Sequence, residues 1–172
     1  MTPAVASLIA TTLALAIAAV AAVWLAVPWL RRHAVAVAIT ACLWVHVFRI
    51  VALQIYSARR VGFEIPLSAA HQIAWGDVLG AGLAFLGIWL LRRDSRAAIP
   101  VLWLFIAETV LDLANGTVLG IRYDATTTAH DLTWVILNFY VPVLWVSLML
   151  VAWQLVARRR EFPTVEAEFP AR

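Results

Sequence analysis

Residues 97–121 read AAIPVLWLFIAETVLDLANGTVLGI. These 25 positions carry only two charged side chains, Glu108 and Asp112. A helix rises 1.5 Å per residue, so about 20 apolar residues cross the hydrocarbon layer of a bilayer. The stretch is bounded by Arg92, Arg93 and Arg96 on one side and by Arg122 on the other. A long apolar run ended abruptly by arginine is the pattern of a transmembrane helix.

Four more runs share it: Ala4 to Leu30, Ala34 to Tyr56, Leu67 to Leu91 and Ala129 to Ala157. The connections are short. A helix satisfies its own backbone hydrogen bonds, which lipid cannot do. The expected fold is therefore all-α: a polytopic membrane helical bundle with five transmembrane helices. Residues 1–157 form a single transmembrane domain, and residues 158–172 a polar cytoplasmic tail. The start, Met1-Thr2-Pro3, has no positive charge, and the apolar run after it exceeds a signal-peptide core, so the first helix is expected to be retained.

Composition supports the same class. The chain has 172 residues, 64% hydrophobic and 13% charged, whereas soluble domains are about 45–50% apolar and about 25% charged. Cys42 is the sole cysteine, which excludes an internal disulfide and a thiolate cluster. The net charge of +3 does not point to nucleic acid. All 13 basic residues are arginines, and most flank apolar runs, as the positive-inside rule describes. The absence of Lys beside abundant Ala and Arg suggests a GC-rich bacterial genome, hence a multi-pass protein of the bacterial cytoplasmic (inner) membrane.

Arginine placement orients the bundle. Arg31, Arg32, Arg92, Arg93, Arg96, Arg158, Arg159 and Arg160 fall on one side, against Arg59, Arg60 and Arg122 on the other. This puts the C-terminus in the cytoplasm and the N-terminus outside. Trp29, Trp89, Trp103 and Trp153 fall near the cytoplasmic helix ends, as an aromatic belt would. Gly76, Gly80 and Ala84 form a small-residue face on the third helix. Ala10, Ala14, Ala18 and Ala22 form another on the first. Either suits close helix packing, within one chain or in a homo-oligomer. Pro142 is expected to kink the fifth helix.

Polar residues within the helices are the informative feature. His46 and Glu108 map near the midplane. Arg49, Gln54, His71, Asp77, Asp112, Asn115, His130, Asp131 and Asn138 map to the outer half. Glu108, Asp112 and Asn115 are spaced i, i+4, i+7 and share a helix face. A charge at mid-bilayer costs about 2.5–3.5 kcal/mol on insertion scales, so such faces should turn inward. They predict a polar chamber in the outer half, open to the periplasm and closed toward the cytoplasm. Arg49 is its permanent cation, while Asp77, Glu108 and Asp112 are three potential anions. Protons, a charged histidine or a bound cation must make up the balance.

Other readings stand beside this one. Arg49 with Asp77 or Asp112 is also what an interhelical staple requires. His71 and His130 suit a wetted interface, and Asp131 a solvated helix start. His46, His71, His130, Glu108 and Asp112 are acceptable metal ligands, and two histidines suffice for a haem, but no local spacing such as HxxxH supports either. No GxGxxG, Walker A, HExxH, CxxC or GxSxG motif occurs, and no catalytic residue or cofactor is assigned.

Phe48-Arg49, the loop Gly62-Phe-Glu-Ile-Pro66, the helix segment Ala74-Trp75-Gly76-Asp77-Val78, and Leu111-Asp112-Leu113 followed by Gly120 occur in that order. The order resembles a family of small uncharacterised bacterial integral membrane proteins across roughly residues 45–120. Arg49, Asp77 and Asp112 match its charged positions, whereas His71 and His130 are outside its pattern. The resemblance implies a shared charged site but no reaction.

The expected function is binding of a small ligand, a cation or a proton in the chamber. The residues concerned are His46, Arg49, His71, Asp77, Glu108, Asp112, Asn115, His130 and Asn138. One alternative is an assembly subunit of a membrane complex, in which the polar network sets helix register. The other is a redox protein holding metal or haem through histidines.

Overall fold

The computed structural model describes residues 1–162, and the rest of the expected tail lies outside these. Among the described residues, five helices are long and apolar enough to cross a membrane: α1 (Pro3–Arg32), α2 (Val35–Val61), α3 (Leu67–Leu91), α4 (Ala98–Arg122) and α5 (Asp131–Ala157). There is no strand among the described residues. One helical turn, Ala125–Thr128, bridges α4 and α5.

Local chemistry explains where the helices begin and end. Thr2 accepts a hydrogen bond from the Val5 amide, and Pro3 follows at the first helical position, which needs no donor. α2 runs to Val61, past the expected end at Tyr56. Arg59 holds this extra turn by donating from Nε to the Ile65 carbonyl at 2.8 Å. Gly62 then ends it at φ +109°, a backbone state that glycine adopts without steric cost.

Three helices contain irregular segments. Ala22–Ala26 in α1 and Ile136–Tyr140 in α5 are π-helical. Each lies just before a proline, Pro28 or Pro142. Proline has no N–H and its ring crowds the carbonyl four residues back, and a widened turn relieves both problems. α2 tightens instead, into a 3-10 stretch from Phe48 to Gln54. With three residues per turn, Arg49, Ala52 and Ile55 stack on one face, and all three are buried.

α3 packs against α4 and α2, and α5 closes the group against α2. α1 is peripheral: 11% of its apolar window is buried. Polar contacts fasten it to α5 and the bridging turn. Thr11 Oγ1 donates to Asn138 Oδ1 at 2.7 Å, Trp134 Nε1 donates to Ser7 Oγ at 3.0 Å, and Ser7 Oγ donates to the Thr126 carbonyl at 3.1 Å.

The bundle has two apolar cores. The larger contains Leu30, Leu43, Leu91, Leu102, Phe105, Leu148 and Val151, at the end bearing Arg31, Arg32, Arg92 and Arg93. The smaller gathers Ile55, Phe63, Ile65, Ala70, Ala74 and Leu119 at the opposite end. At the arginine-rich end, Arg31 lies 5.5 Å over the Trp153 ring and Arg93 lies 4.2 Å over the Trp89 ring. Arg158 donates to the carbonyls of Leu30 and His33, both at 2.8 Å, and to Glu161.

Both small-residue faces contribute packing within the chain, one of the two uses their spacing allows. Gly80 and Ala84 are buried, and Gly76 backs onto Asp112 of α4. Ala14 and Ala22 are buried, with α1 lying along α5.

Candidate functional site

The site begins at the 3-10 stretch of α2, which turns Arg49 into the bundle with no exposed surface. Its guanidinium meets groups from two other helices. Nε donates to Asp77 Oδ1 of α3 at 2.7 Å. Nη1 donates to Thr109 Oγ1 of α4 at 3.0 Å and lies 3.6 Å from Glu108 Oε2. Nη2 donates to Asp112 Oδ2. Thr109 in turn donates to Glu108 Oε2 at 3.2 Å. The three carboxylate side chains are nearly buried, at 11–15% exposure. One permanent cation thus faces three acids in a low-dielectric setting, where charges interact strongly.

Glycine makes the cluster sterically feasible. A Cβ built on Gly80 would sit 2.7 Å from Arg49 Cζ and 2.8 Å from Glu108 Oε2. A Cβ on Gly76 would sit 2.6 Å from Asp112 Cγ. Sequence reading identifies these glycines as a packing face, but their clearance serves charged side chains as well as helix backbones. It also misses Thr109, which is fully buried and holds both Arg49 and Glu108. The hydroxyl's position beside Glu108, on the face turned to Arg49, is the signal that marks it.

A cavity of about 270 Å³ opens above the cluster, in the half of the bundle away from Arg31, Arg32, Arg92 and Arg93. Arg49, Asp77 and Asp112 form its floor, and Asn138, Gln54 and Thr133 contribute polar groups higher up. Most other wall residues are aliphatic, Ile55, Ile65, Ile73 and Leu137 among them. This corrects the expectation of a generally polar chamber: charge is confined to the floor. The wall polar groups are largely occupied with each other. Gln54 Nε2 donates to Thr133 Oγ1 at 3.1 Å, and Asn138 Nδ2 donates to the Trp134 carbonyl at 2.8 Å. On the far side of the floor, Phe105, Leu43, Leu148 and Val151 fill the bundle with at most 3% exposure.

Of the nine residues singled out from sequence, Arg49, Asp77, Glu108 and Asp112 meet in the cluster, and Asn138 lines the cavity. The other four lie elsewhere. Asn115 shares a shallow groove with Glu108 and Asp112 on the outer face of α4. His71 is exposed, with its ring 5.6 Å from that of Tyr56. His130 is paired with exposed Asp131 at 3.1 Å. His46 is fully buried on the other side of Arg49, edge-on to Phe105 at 4.9 Å, and neither ring nitrogen has a hydrogen-bond partner.

The metal candidates His46, His71, His130 and Glu108 are thus not brought together in one place. Among the described residues, no three His, Cys, Asp or Glu side chains form a metal-holding group. None of the three histidines lines the cavity. Helical spacing placed each histidine at a depth, but the rotation of its helix decided what it faces.

No curated protein and no solved structure matches the chain. Residues 6–156, nearly the whole bundle and all of the charged cluster, match the family model described as a domain of unknown function (DUF8737), and the chain belongs to that family.

Proposed function

We propose that this chain is a multi-pass protein of a bacterial inner membrane that binds a small ligand, a cation or a proton in the cavity above Arg49. In this reading the N-terminus is outside, the C-terminus is cytoplasmic, and the cavity serves the outer half of the bilayer. One observation carries the proposal: a cavity whose floor exposes Asp77 and Asp112 while a single guanidinium faces three carboxylates. A staple needs one acid per arginine, and buried ionisable groups in excess of pairing are costly unless something balances them. Arg49, Asp77 and Asp112 are also the charged positions of the sequence pattern, and we read that pattern as a mark of this site.

The test is thermal unfolding of the purified chain in detergent, across pH, cations and a small-molecule panel, beside Asp112→Asn. A ligand that binds only the folded state raises the melting point by mass action. The expected result is at least one condition that shifts the chain and does not shift Asp112→Asn equally. Equal responses under every condition would remove the binding reading and leave the cluster as a device for helix register.

A further inference from the structure

We propose that the cavity accepts a compact lipophilic amine, with the ammonium on the Asp77–Asp112 floor and the apolar body against the aliphatic walls. This deepens the binding reading above and rests on it. Three features of the cavity select the class.

The first is charge. All three guanidinium nitrogens of Arg49 are engaged by Asp77, Thr109 and Asp112. An anionic ligand would find the arginine occupied and surplus carboxylate around it. A carboxylate accepts about four hydrogen bonds. Arg49 takes Oδ1 of Asp77 and Oδ2 of Asp112, which leaves acceptor capacity for the three donors of an ammonium.

The second is wall chemistry. Ca²⁺ seeks about six to eight oxygen ligands, and transition metals seek imidazole or thiolate. Beyond its two carboxylates most of the cavity surface is apolar, from Ile, Leu, Val, Ala and Phe side chains, with hydroxyl and amide groups such as Thr11, Thr133 and Asn138 among them, which suits a hydrocarbon body rather than a bare ion. The volume of about 270 Å³ gives room for a short chain or a small ring.

The third is access. Thr117 and Ile121 of α4 and Thr126 of the bridging turn line the cavity and are also exposed on the outside of the chain. The cavity therefore reaches the surface beside the outer end of α4, where an amphipathic molecule would partition before entry. Gly116 lines the same wall, and a Cβ added there meets nothing within 4 Å.

The experiment compares hexylamine, hexanol, hexanoate and sodium chloride as probes, read by thermal unfolding and by titration calorimetry in detergent. Wild type, Asp112→Asn and Gly116→Leu are tested. Gly116→Leu adds bulk at the cavity wall while leaving every charged side chain of the cluster in place, so it keeps the test valid if Asp112→Asn does not fold. The expected result is binding of hexylamine at least about tenfold tighter than hexanol or hexanoate, as loss of a charged hydrogen-bonding partner implies. Asp112→Asn and Gly116→Leu should each weaken it. Hexanol, hexanoate or sodium binding as tightly as the amine, and lost in Gly116→Leu, would overturn the amine and leave the cavity a binding site. Hexylamine binding unchanged in Gly116→Leu would overturn the placement. A response to none of the four would overturn the amine, while the broader screen still decides whether the cavity binds anything.

Discussion

Arg49 shows how much one position can demand of its neighbours. A buried guanidinium needs acceptors on every side, and these come from Asp77, Thr109, Glu108 and Asp112. It also needs volume, and Gly80 supplies it. Gly80→Ala should therefore lower stability by about 1–3 kcal/mol through overpacking. Gly82 is the control, because a Cβ there meets nothing within 4 Å. Gly82→Ala should change stability by no more than about 1 kcal/mol, in the direction of a stronger helix. Unfolding of both variants in one detergent decides this, and equal effects would mean that the Arg49 cluster yields to a methyl group without cost.

At the scale of elements, irregular helix turns decide the site. Had α2 stayed α-helical past Phe48, Arg49, Ala52 and Ile55 would not stack on one face. Tyr140, at the end of the π segment of α5, donates its hydroxyl to the Val45 carbonyl at 2.5 Å, one turn before Arg49. Ser147 donates to the Cys42 carbonyl at 3.0 Å, so α5 is stitched to α2 along the backbone. A separate clamp closes the arginine-rich end. Arg158 joins the end of α5 to Leu30 and His33, and Glu161 braces it. The Arg158 hydrogen bond holds the Glu161 carboxyl below its ordinary 4.5, and Glu161 in turn raises Arg158. A carboxyl depressed by folding stabilises the fold above its unfolded pKa and loses that effect as pH falls through the folded value. The melting-temperature gap between the chain and Glu161→Gln should thus be constant at neutral pH and close below pH 4.5. A gap that widens on acidification would show that the brace is not electrostatic.

For the whole molecule, the division into two cores is the central fact. The core at the arginine-rich end is continuous from Leu30 to Phe162, and the other core is smaller and stops at the cavity. A bundle so divided presents a plug on one side and a pocket on the other, and the proposed orientation sets the pocket outside. Single cysteines test that orientation, since Cys42 is 7% exposed and gives little background. In intact cells, an impermeant thiol reagent should label Glu64→Cys, between α2 and α3, and spare Ser95→Cys, between α3 and α4. The reverse pattern would invert the topology.

The sequence by itself determined the all-helical class, the five long apolar helices and the cluster's charged members. Length and hydropathy are local quantities, and a span needs no partner to be recognised. Even Leu67–Leu91 agrees at both ends, because prolines and arginines mark its boundaries directly. Arg49, Asp77, Glu108 and Asp112 were legible because charge within a long apolar helix is expensive to leave unpaired, so such charges must find one another. Only the tertiary structure decided what shares a site with them. His46 and Arg49 are three residues apart on one helix, yet one faces Phe105 in the plug and the other the cavity floor. His71, Asn115 and His130 have the right depth and the wrong azimuth. On the regular helices α3 and α4 that azimuth depends on how each helix rotates against its neighbours, and for Arg49 on the 3-10 stretch of α2. Neither is expressed in hydropathy or periodicity, so the cavity's aliphatic walls and the dispersal of the histidines appear only when the helices are packed.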